Sequence, residues 1–336
     1  MPELIQGRWV TSDVAASELK DGAFEREPTR FRQWITADGR PDAAGRPTLP
    51  AEPGRYQLFV AGLCPWASRT LILHRLKGLE PLVPVTFTDA VLGANGWVYS
   101  TPVDAGPGIA PVRHHYELYL ATDPTYTGKV SVPVLWDRHE ARIVNNESAD
   151  IMRIFNRAFD HLTGNTRDFC PEPLRAVIDA WNERVYHSVN NGVYRAGFAR
   201  SQQSYDTAVS DLFAALDALE AHLAGSRYLA GEYLTEADWR LFTTLVRFDI
   251  AYHGVFKCNI RRLVDYPALS NYVRELFQWP GVRDTVRFDD IRTGYYSIAS
   301  VNPSGIIARG PEPDFDRPHD RDRLSGHGVQ DLVRAA

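Results

Sequence analysis

The hexapeptide Gly62-Leu63-Cys64-Pro65-Trp66-Ala67 joins a strand-like run, Tyr56–Val60, to a helical run over residues 69–77. This places Cys64 at the first turn of a helix, where proline fits because its missing N–H would be unpaired anyway and its φ is already helical. The exposed N–H groups and the dipole of the helix favour a thiolate over a thiol. Ala67 stands where a Cys-x-x-Cys redox pair would have its second cysteine, so a mixed disulfide at Cys64 must be resolved by an external thiol. The sequence therefore predicts a monothiol exchange enzyme.

The composition is that of an ordinary globular protein and disfavours several classes of function. The 336 residues are 44% hydrophobic and 24% charged, with a net charge of −5 and no basic stripe interleaved with aromatic residues. No apolar run approaches the roughly 20 residues needed to span a bilayer. We therefore expect neither a nucleic-acid partner nor a membrane partner.

Cysteine usage and the first residues of the chain bear on the compartment. The start lacks a basic segment followed by an apolar one, so we expect no signal peptide. Cys64, Cys170 and Cys258 are too few and too scattered for a disulfide framework. We expect a reducing cytoplasm, with Cys170 and Cys258 as buried or idle thiols. The ten histidines show no spacing that suggests zinc or another metal.

Composition and periodicity divide the chain into four parts. Residues 1–50, rich in Pro, Gly, Asp and Arg, predict an extended N-terminal arm. Residues 51–165 alternate strand and helix patterns, interrupted by a Gly- and Pro-rich insertion at about 89–130. Residues 166–310 show helical spacing, and residues 311–336 form a polar tail that we expect to be an arm or partly disordered.

The order of elements in residues 51–165 is β-α-β followed by β-β-α. The predicted elements are strands at 55–60, 82–87, 130–136 and 142–144 and helices at 65–77 and 147–158. Asn146 is the predicted cap of the last helix. In the helical part, Thr235-Glu236-Ala237-Asp238 resembles a capping box with Asp in place of the usual Glu or Gln. The whole order resembles the glutathione transferase fold, which implies an α/β thioredoxin-like N-terminal domain plus an all-α C-terminal domain.

Two segments match what a glutathione site requires. Ser131-Val132-Pro133-Val134 puts a proline at the start of a strand, and if the Val132–Pro133 bond is cis, Val132 presents its backbone to a ligand's peptide. Asn146-Glu147-Ser148 opens the next helix, whose N–H groups and Ser148 hydroxyl can hold a carboxylate while Glu147 pairs with an ammonium. The γ-glutamyl end of glutathione carries that pair of charges. A Glu-Ser pair alone is also common at helix starts. It supports a glutathione site here because Val132-Pro133 precedes it at the spacing found in the glutathione transferase superfamily.

Further motifs resemble the xi class of this superfamily, the glutathionyl-hydroquinone reductases. The resemblance runs from about residue 60 to 310, and its most specific parts are Asn190-Asn191-Gly192-Val193-Tyr194 and Asn302-Pro303-Ser304-Gly305. The other matching segments are Cys64-Pro65-Trp66-Ala67, Gly96-Trp97, 129–137, 145–148 and 256–259.

The resemblance implies a role for each matching residue. Cys64 is the implied nucleophile. The implied glutathione contacts are Trp97, Lys129, Val132, Pro133, Glu147 and Ser148. The implied quinone pocket contains Tyr194, Tyr252 and one of Tyr295 and Tyr296, with Tyr186 as a secondary candidate. The implied reaction is the reductive deglutathionylation of aromatic glutathionyl-hydroquinones, with glutathione as co-substrate and a homodimer as the assembly.

Two other interpretations fit part of the pattern. An omega-like thioltransferase or dehydroascorbate reductase would share the Cys-Pro-x-Ala turn but differ in its second substrate. A non-catalytic glutathione-binding module is disfavoured by Cys64 and Pro65, because a scaffold needs no activated thiol.

Overall fold

Two units that interleave along the chain make up the computed structural model, which describes residues 3–11, 18–20 and 22–331. The first, here called the thiol unit, comprises Met1–Glu18, Glu27–Asn165 and Arg287–Ser300. The second, the helical unit, comprises Leu19–Arg26, Thr166–Val286 and Val301–Ala336. Residues 287–300 thus group with the thiol unit, although the sequence pattern assigns them to the helical domain.

The secondary structure has the following bounds. The strands are β1 (Glu3–Ile5), β2 (Arg8–Val10), β3 (Leu19–Lys20), β4 (Ala23–Phe24), β5 (Trp34–Thr36), β6 (Thr48–Pro50), β7 (Tyr56–Val60), β8 (Val85–Phe87), β9 (Val98–Val103), β10 (Val112–His114), β11 (Gly128–Lys129), β12 (Val134–Asp137), β13 (Arg142–Asn145), β14 (Arg167–Asp168) and β15 (Gln330–Asp331). The helices are α1 (Pro65–Leu76), α2 (Tyr116–Thr122), α3 (Ser148–Arg157), α4 (Asp160–Thr163), α5 (Arg175–Val185), α6 (Gly192–Gly197), α7 (Gln202–Gly225), α8 (Glu236–Arg247), α9 (His253–Val255), α10 (Pro267–Phe277) and α11 (Phe288–Tyr296).

A four-stranded mixed sheet organises the thiol unit. Its order is β13-β12-β7-β8, with β7 parallel to β8 and β12 antiparallel to both of its neighbours. Every residue of β7 is buried, as expected for a central strand covered on both faces. Helices α1 and α3 pack against each other. The sheet thus has the predicted β-α-β and β-β-α order.

The insertion at 89–130 is folded rather than a long loop. Strands β9 and β10 pair antiparallel, and α2 follows them directly. Residues from this region pack with Phe59 of β7 and Trp136 of β12 in one buried cluster. Because side chains alternate along a strand, this cluster occupies one face of the sheet. The insertion therefore covers a sheet face that water would otherwise reach.

The N-terminal arm adds short pairings to the thiol unit. Strand β1 pairs with β2 and with β11, and β5 runs parallel to β6. Arg32 forms an antiparallel bridge with Asn145 at the end of β13, and the Arg32 guanidinium forms an ion pair with the Asp150 carboxylate. The arm therefore runs beside the start of α3.

The helical unit contains α5 to α10, with α7 as its longest helix in the described part of the chain. Helices α5 and α8 each continue into a single π-helical turn, Tyr186–Asn190 and Phe248–Tyr252. At the start of α8, one Asp238 carboxylate oxygen accepts hydrogen bonds from the Thr235 N–H (2.8 Å) and hydroxyl (3.0 Å). The capping box is confirmed. No described helix has both the length and the apolar surface required to cross a membrane.

The C-terminal tail lies along the helical unit. The Arg321 guanidinium is buried, pairs with the Glu275 carboxylate at 2.9 Å and donates to the Leu223 carbonyl at 3.0 Å. Strand β15 pairs with β14. Up to residue 331 the tail is therefore an arm that packs on the helical unit, and residues 332–336 lie outside the described part of the chain.

Candidate active site

Cys64 lies at the N-cap of α1. Its backbone is extended, with φ −75° and ψ 121°, and Pro65 occupies the first helical position. The Cys64 N–H donates to the Ala61 carbonyl and its own carbonyl accepts from the Ser68 N–H, both at 3.0 Å. The residue is 9% exposed. The predicted position of the thiol at a helix start is confirmed.

The thiol faces the turn before β12. The Cys64 Sγ lies 3.6 Å from the Val132 carbonyl oxygen, and the Val132–Pro133 peptide bond is cis. No hydrogen bond found among the described residues uses the Val132 N–H. The structure thus brings Cys64, Val132 and Pro133 together, with a backbone N–H available for a ligand.

Glu147, rather than Asn146, caps α3. Its Oε1 accepts from the Ala149 N–H at 3.1 Å, and its Oε2 accepts from the Thr29 hydroxyl at 3.1 Å. The prediction that Asn146 is the cap is wrong, because the Asn146 amide is used elsewhere. Its oxygen accepts from the Phe31 N–H at 3.2 Å and its nitrogen donates to the Tyr119 hydroxyl at 3.2 Å.

Ser148 is buried at the first position of α3, next to a cation. Its hydroxyl lies 3.5 Å from an Arg69 guanidinium nitrogen and 3.5 Å from the Glu147 carboxylate. Arg69 is itself buried, and its guanidinium lies 4.4 Å from the centroid of the Trp66 ring. The charge of Arg69 and the N–H groups of α3 both favour an anion here.

Lys129 and Trp97 have other contacts. Lys129 lies on β11, and its ammonium forms an ion pair with the buried carboxylate of Glu18. The half-buried Trp97 precedes β9, and its carbonyl accepts from the His115 N–H at 2.9 Å. The Lys129 ammonium thus contacts Glu18, and the Trp97 backbone contacts His115.

Tyr295 and Tyr296 are held in the thiol unit by a close helix contact. A Cβ atom at Gly294 of α11 would lie 2.4 Å from the Leu63 side chain and 2.7 Å from the Ala90 carbonyl. A Cβ at Gly62 would lie 2.1 Å from the Asp290 carboxylate. Because both positions are glycine, α11 approaches the segment before Cys64 closely. Both tyrosines are buried, and burial raises the pKa of Tyr296.

Tyr194 and Tyr252 form an aromatic pair in the helical unit. Their ring centroids are 6.1 Å apart, and Tyr252 stacks on Phe256 at 5.4 Å. Tyr252 ends a π-helical turn and is fully buried, whereas Tyr194 is half-buried under the Arg26 guanidinium at 5.0 Å. Of this pair, Tyr194 is the less buried residue.

Sequence patterns missed four residues that contact the predicted site. They are Glu18, Thr29, Arg69 and Tyr119. Arg69 lies on α1, five residues after Cys64. The other three reach the site from distant positions with no local signal.

Comparisons with known proteins show the family of the chain. The family model for the glutathione S-transferase N-terminal domain matches residues 63–158, and the model for the C-terminal domain matches residues 202–275. Over 325 residues the chain is 47% identical to glutathionyl-hydroquinone reductase YqjG of Escherichia coli K12, covering 96% of this chain and 99% of the relative.

Two further relatives extend the comparison. The chain is 46% identical over 312 residues to glutathionyl-hydroquinone reductase PcpF of Sphingobium chlorophenolicum, covering 92% of this chain and 96% of the relative. The solved glutathione-bound structure of the E. coli protein matches with a TM-score of 0.85 and 46% identity over 95% of this chain and 99% of its own. The xi class glutathione transferase of Natrialba magadii matches with a TM-score of 0.87 and 43% identity, covering 97% of this chain and 98% of the other.

Proposed function

Because this chain belongs to the xi class of glutathione transferases, the glutathionyl-hydroquinone reductases, we propose that it removes glutathione from glutathionyl-hydroquinones through a mixed disulfide at Cys64. The main support is the position of Cys64 at the start of α1, with its Sγ 3.6 Å from the Val132 carbonyl and alanine at position 67. A lone thiol at that position can form the intermediate and cannot resolve it internally.

Glutathione binding is assigned to the Val132 turn and to the start of α3. The Val132 N–H would pair with the peptide of the ligand, in the manner of an added strand. The Glu147 carboxylate would hold the γ-glutamyl ammonium, and the Ser148 hydroxyl with the α3 N–H groups would hold the adjacent carboxylate. Lys129 would offer a cation to the second carboxylate and Trp97 an apolar wall. Cys64 would then face the ligand sulfur at roughly 3–3.5 Å.

The first chemical step breaks the carbon–sulfur bond of the substrate. The Cys64 thiolate attacks the thioether sulfur and a sulfur–sulfur bond forms. The electron pair of the broken bond remains on the ring carbon, which takes up a proton to give the free hydroquinone. The ring is thereby reduced, and the two sulfur atoms are oxidised to the disulfide.

The second step regenerates the enzyme. The thiolate of a second glutathione attacks the mixed disulfide, releasing glutathione disulfide and the Cys64 thiolate. This step consumes reduced glutathione, so the reaction fits a reducing cytoplasm. We also propose the homodimer that the family resemblance implies, which light scattering after gel filtration would test.

The tyrosines are proposed to act on the ring of the substrate. A phenol offers a flat face for stacking and a hydroxyl for the ring oxygens. Donation to the developing oxyanion would stabilise the quinonoid form that accepts the proton. Tyr194, Tyr252, Tyr295 and Tyr296 are the candidates.

A substrate panel tests the proposal. Glutathionyl-hydroquinone, dehydroascorbate and a simple disulfide would each be offered with glutathione, and glutathione disulfide formation would be followed. We expect the highest kcat/KM for the hydroquinone conjugate. A preference for dehydroascorbate or the simple disulfide would instead indicate an omega-like enzyme, and no turnover of any substrate would indicate a binding module.

A further inference from the structure

Tyr119 of α2 occupies a central position beneath the proposed glutathione segments. Its side chain is fully buried, and its ring belongs to the cluster between the insertion and the sheet. Its hydroxyl donates to the Ser131 carbonyl at 2.8 Å and accepts from the Ser131 N–H at 3.1 Å. The same oxygen accepts from the Asn146 side-chain nitrogen at 3.2 Å. The hydroxyl therefore uses its one donor hydrogen and both of its acceptor positions.

His115 fixes the same carbonyl from another direction. Complete burial lowers the pKa of His115 to about 4, so its ring is neutral near pH 7. Its Nε2 lies 3.1 Å from the Ser131 carbonyl oxygen, which can only accept, so Nε2 carries the hydrogen. Its Nδ1 then accepts from the Tyr99 hydroxyl at 2.7 Å. The Ser131 carbonyl thus receives two buried hydrogen bonds.

Ser131 and Asn146, which both bond to the Tyr119 hydroxyl, immediately precede the two proposed glutathione-binding segments. Ser131 comes directly before Val132, and Asn146 directly before Glu147. Asn146 is held from its other side as well, because its N–H donates to the Phe31 carbonyl at 3.0 Å. A single hydroxyl therefore joins the turn that would pair with the ligand peptide to the helix start that would hold its γ-glutamyl charges.

We propose that Tyr119 is a positioning residue that sets the spacing between these two segments, so that one glutathione molecule engages both. The inference rests on the proposed glutathione site. Because the bonds are buried, loss of the hydroxyl leaves the Ser131 N–H and the Asn146 side-chain nitrogen without this partner and the Ser131 carbonyl with only its bond to His115, and the two segments lose their common anchor. Affinity for the whole tripeptide would fall, while the thiol itself would stay reactive.

The test compares two buried tyrosines of the thiol unit. Tyr119→Phe removes the bridging hydroxyl, and Tyr56→Phe is its control, because the Tyr56 hydroxyl donates only to the Pro50 carbonyl in the contacts found, at 2.6 Å. Glutathione Kd, the rate of Cys64 alkylation by iodoacetamide, and the thermal midpoint would be measured for each. We expect Kd to rise about tenfold or more in Tyr119→Phe only, with alkylation within about twofold of wild type in both.

A double-mutant cycle separates bridging from simple support. Asn146→Ala removes the bridge from its other end, so its effect on Kd should not add to that of Tyr119→Phe. Three outcomes would each overturn the inference. Tyr119→Phe could keep the wild-type Kd, both tyrosine variants could show equal increases in Kd, or the effects of Tyr119→Phe and Asn146→Ala on the binding free energy could be fully additive. If wild-type protein itself fails to bind glutathione, the proposed function fails instead, and that outcome is distinct.

Discussion

The Cys64 sulfur lies 3.6 Å from the carbonyl oxygen of Val132, although 68 residues separate the two along the chain. The sulfur of the proposed nucleophile is thus adjacent to the backbone of the turn before β12. In the proposed mechanism, peptide groups of the Val132 turn would position the substrate sulfur, so the geometry would depend on how firmly that turn is held.

Replacement of Cys64 tests the nucleophile. Cys64→Ser should abolish thiol transfer, whereas Cys170→Ser and Cys258→Ser should keep most of it. Burial raises the pKa of the Cys258 thiol far above its usual range, so it remains protonated and unreactive. Intact mass after exposure to glutathione disulfide should show one glutathione, at Cys64. An adduct at Cys258, with activity surviving in Cys64→Ser, would contradict the mechanism.

Glu147→Gln should weaken glutathione binding by about 1.5–3 kcal/mol, the range of a charge-assisted hydrogen bond. Calorimetric titration measures the change. The matched ligand is glutaryl-cysteinylglycine, which lacks only the γ-glutamyl amine. The loss should shrink sharply with this ligand, and an equal loss with both ligands would mean that Glu147 only caps α3.

Phenylalanine at Tyr194, Tyr252, Tyr295 or Tyr296 should lower hydroquinone turnover about tenfold or more for at least two of the four. This corresponds to about 1.4 kcal/mol of lost transition-state stabilisation. Tyr194 should be among them, because it is half-buried, whereas the other three are buried.

Two controls accompany these variants. Exchange with a small glutathione mixed disulfide should stay near normal, and Tyr233→Phe, a half-buried tyrosine that contacts His327 instead, should have wild-type turnover. Wild-type turnover in all four variants would contradict the proposed aromatic pocket and favour the omega-like alternative.

Stability should fall as the pH drops from about 6.5 to about 4. The ordinary pKa of histidine is 6.5, and burial lowers the pKa of His115 to about 4 in the folded protein. The unfolded chain therefore binds more protons in this window, and acid favours unfolding by up to about 3 kcal/mol from this group. Urea unfolding at several pH values should show a shallower dependence in His115→Gln. The exposed His187→Gln should keep the wild-type slope, and an unchanged slope in His115→Gln would refute the assignment.

Gly294→Ala should destabilise the protein by about 1–3 kcal/mol, because the added carbon overlaps the Ala90 carbonyl and the Leu63 side chain. Gly225→Ala is the control, since nothing lies within 4 Å of its Cβ position. Its thermal midpoint should equal or exceed that of wild type. Equal midpoints for Gly294→Ala and wild type would show that α11 can shift without cost.

Local chemistry explains which predictions from sequence succeeded. The helix start at Cys64-Pro65 and the capping box at Thr235 and Asp238 depend on neighbours within one turn. Their residue types therefore predict the conformation directly.

The failures involve competition with distant residues. Asparagine is a residue type favoured at helix N-caps. The Asn146 side-chain amide instead bonds to Phe31 and Tyr119, and Glu147 caps α3. The link between Thr29 and Glu147 spans 118 positions and has no periodic signal. Tertiary hydrogen bonds of this kind override local preference, and a single sequence does not contain them.

The grouping of residues 287–300 with the thiol unit has a consequence for synthesis on the ribosome. Domains generally fold as they emerge, the N-terminal one first. Here α11, which covers the glycine beside the proposed nucleophile, emerges only after residues 166–286 have been made. The thiol unit therefore cannot complete its folding until α11 has been synthesised. Because each unit consists of segments that are separate along the chain, a single cleavage of the chain does not release either unit.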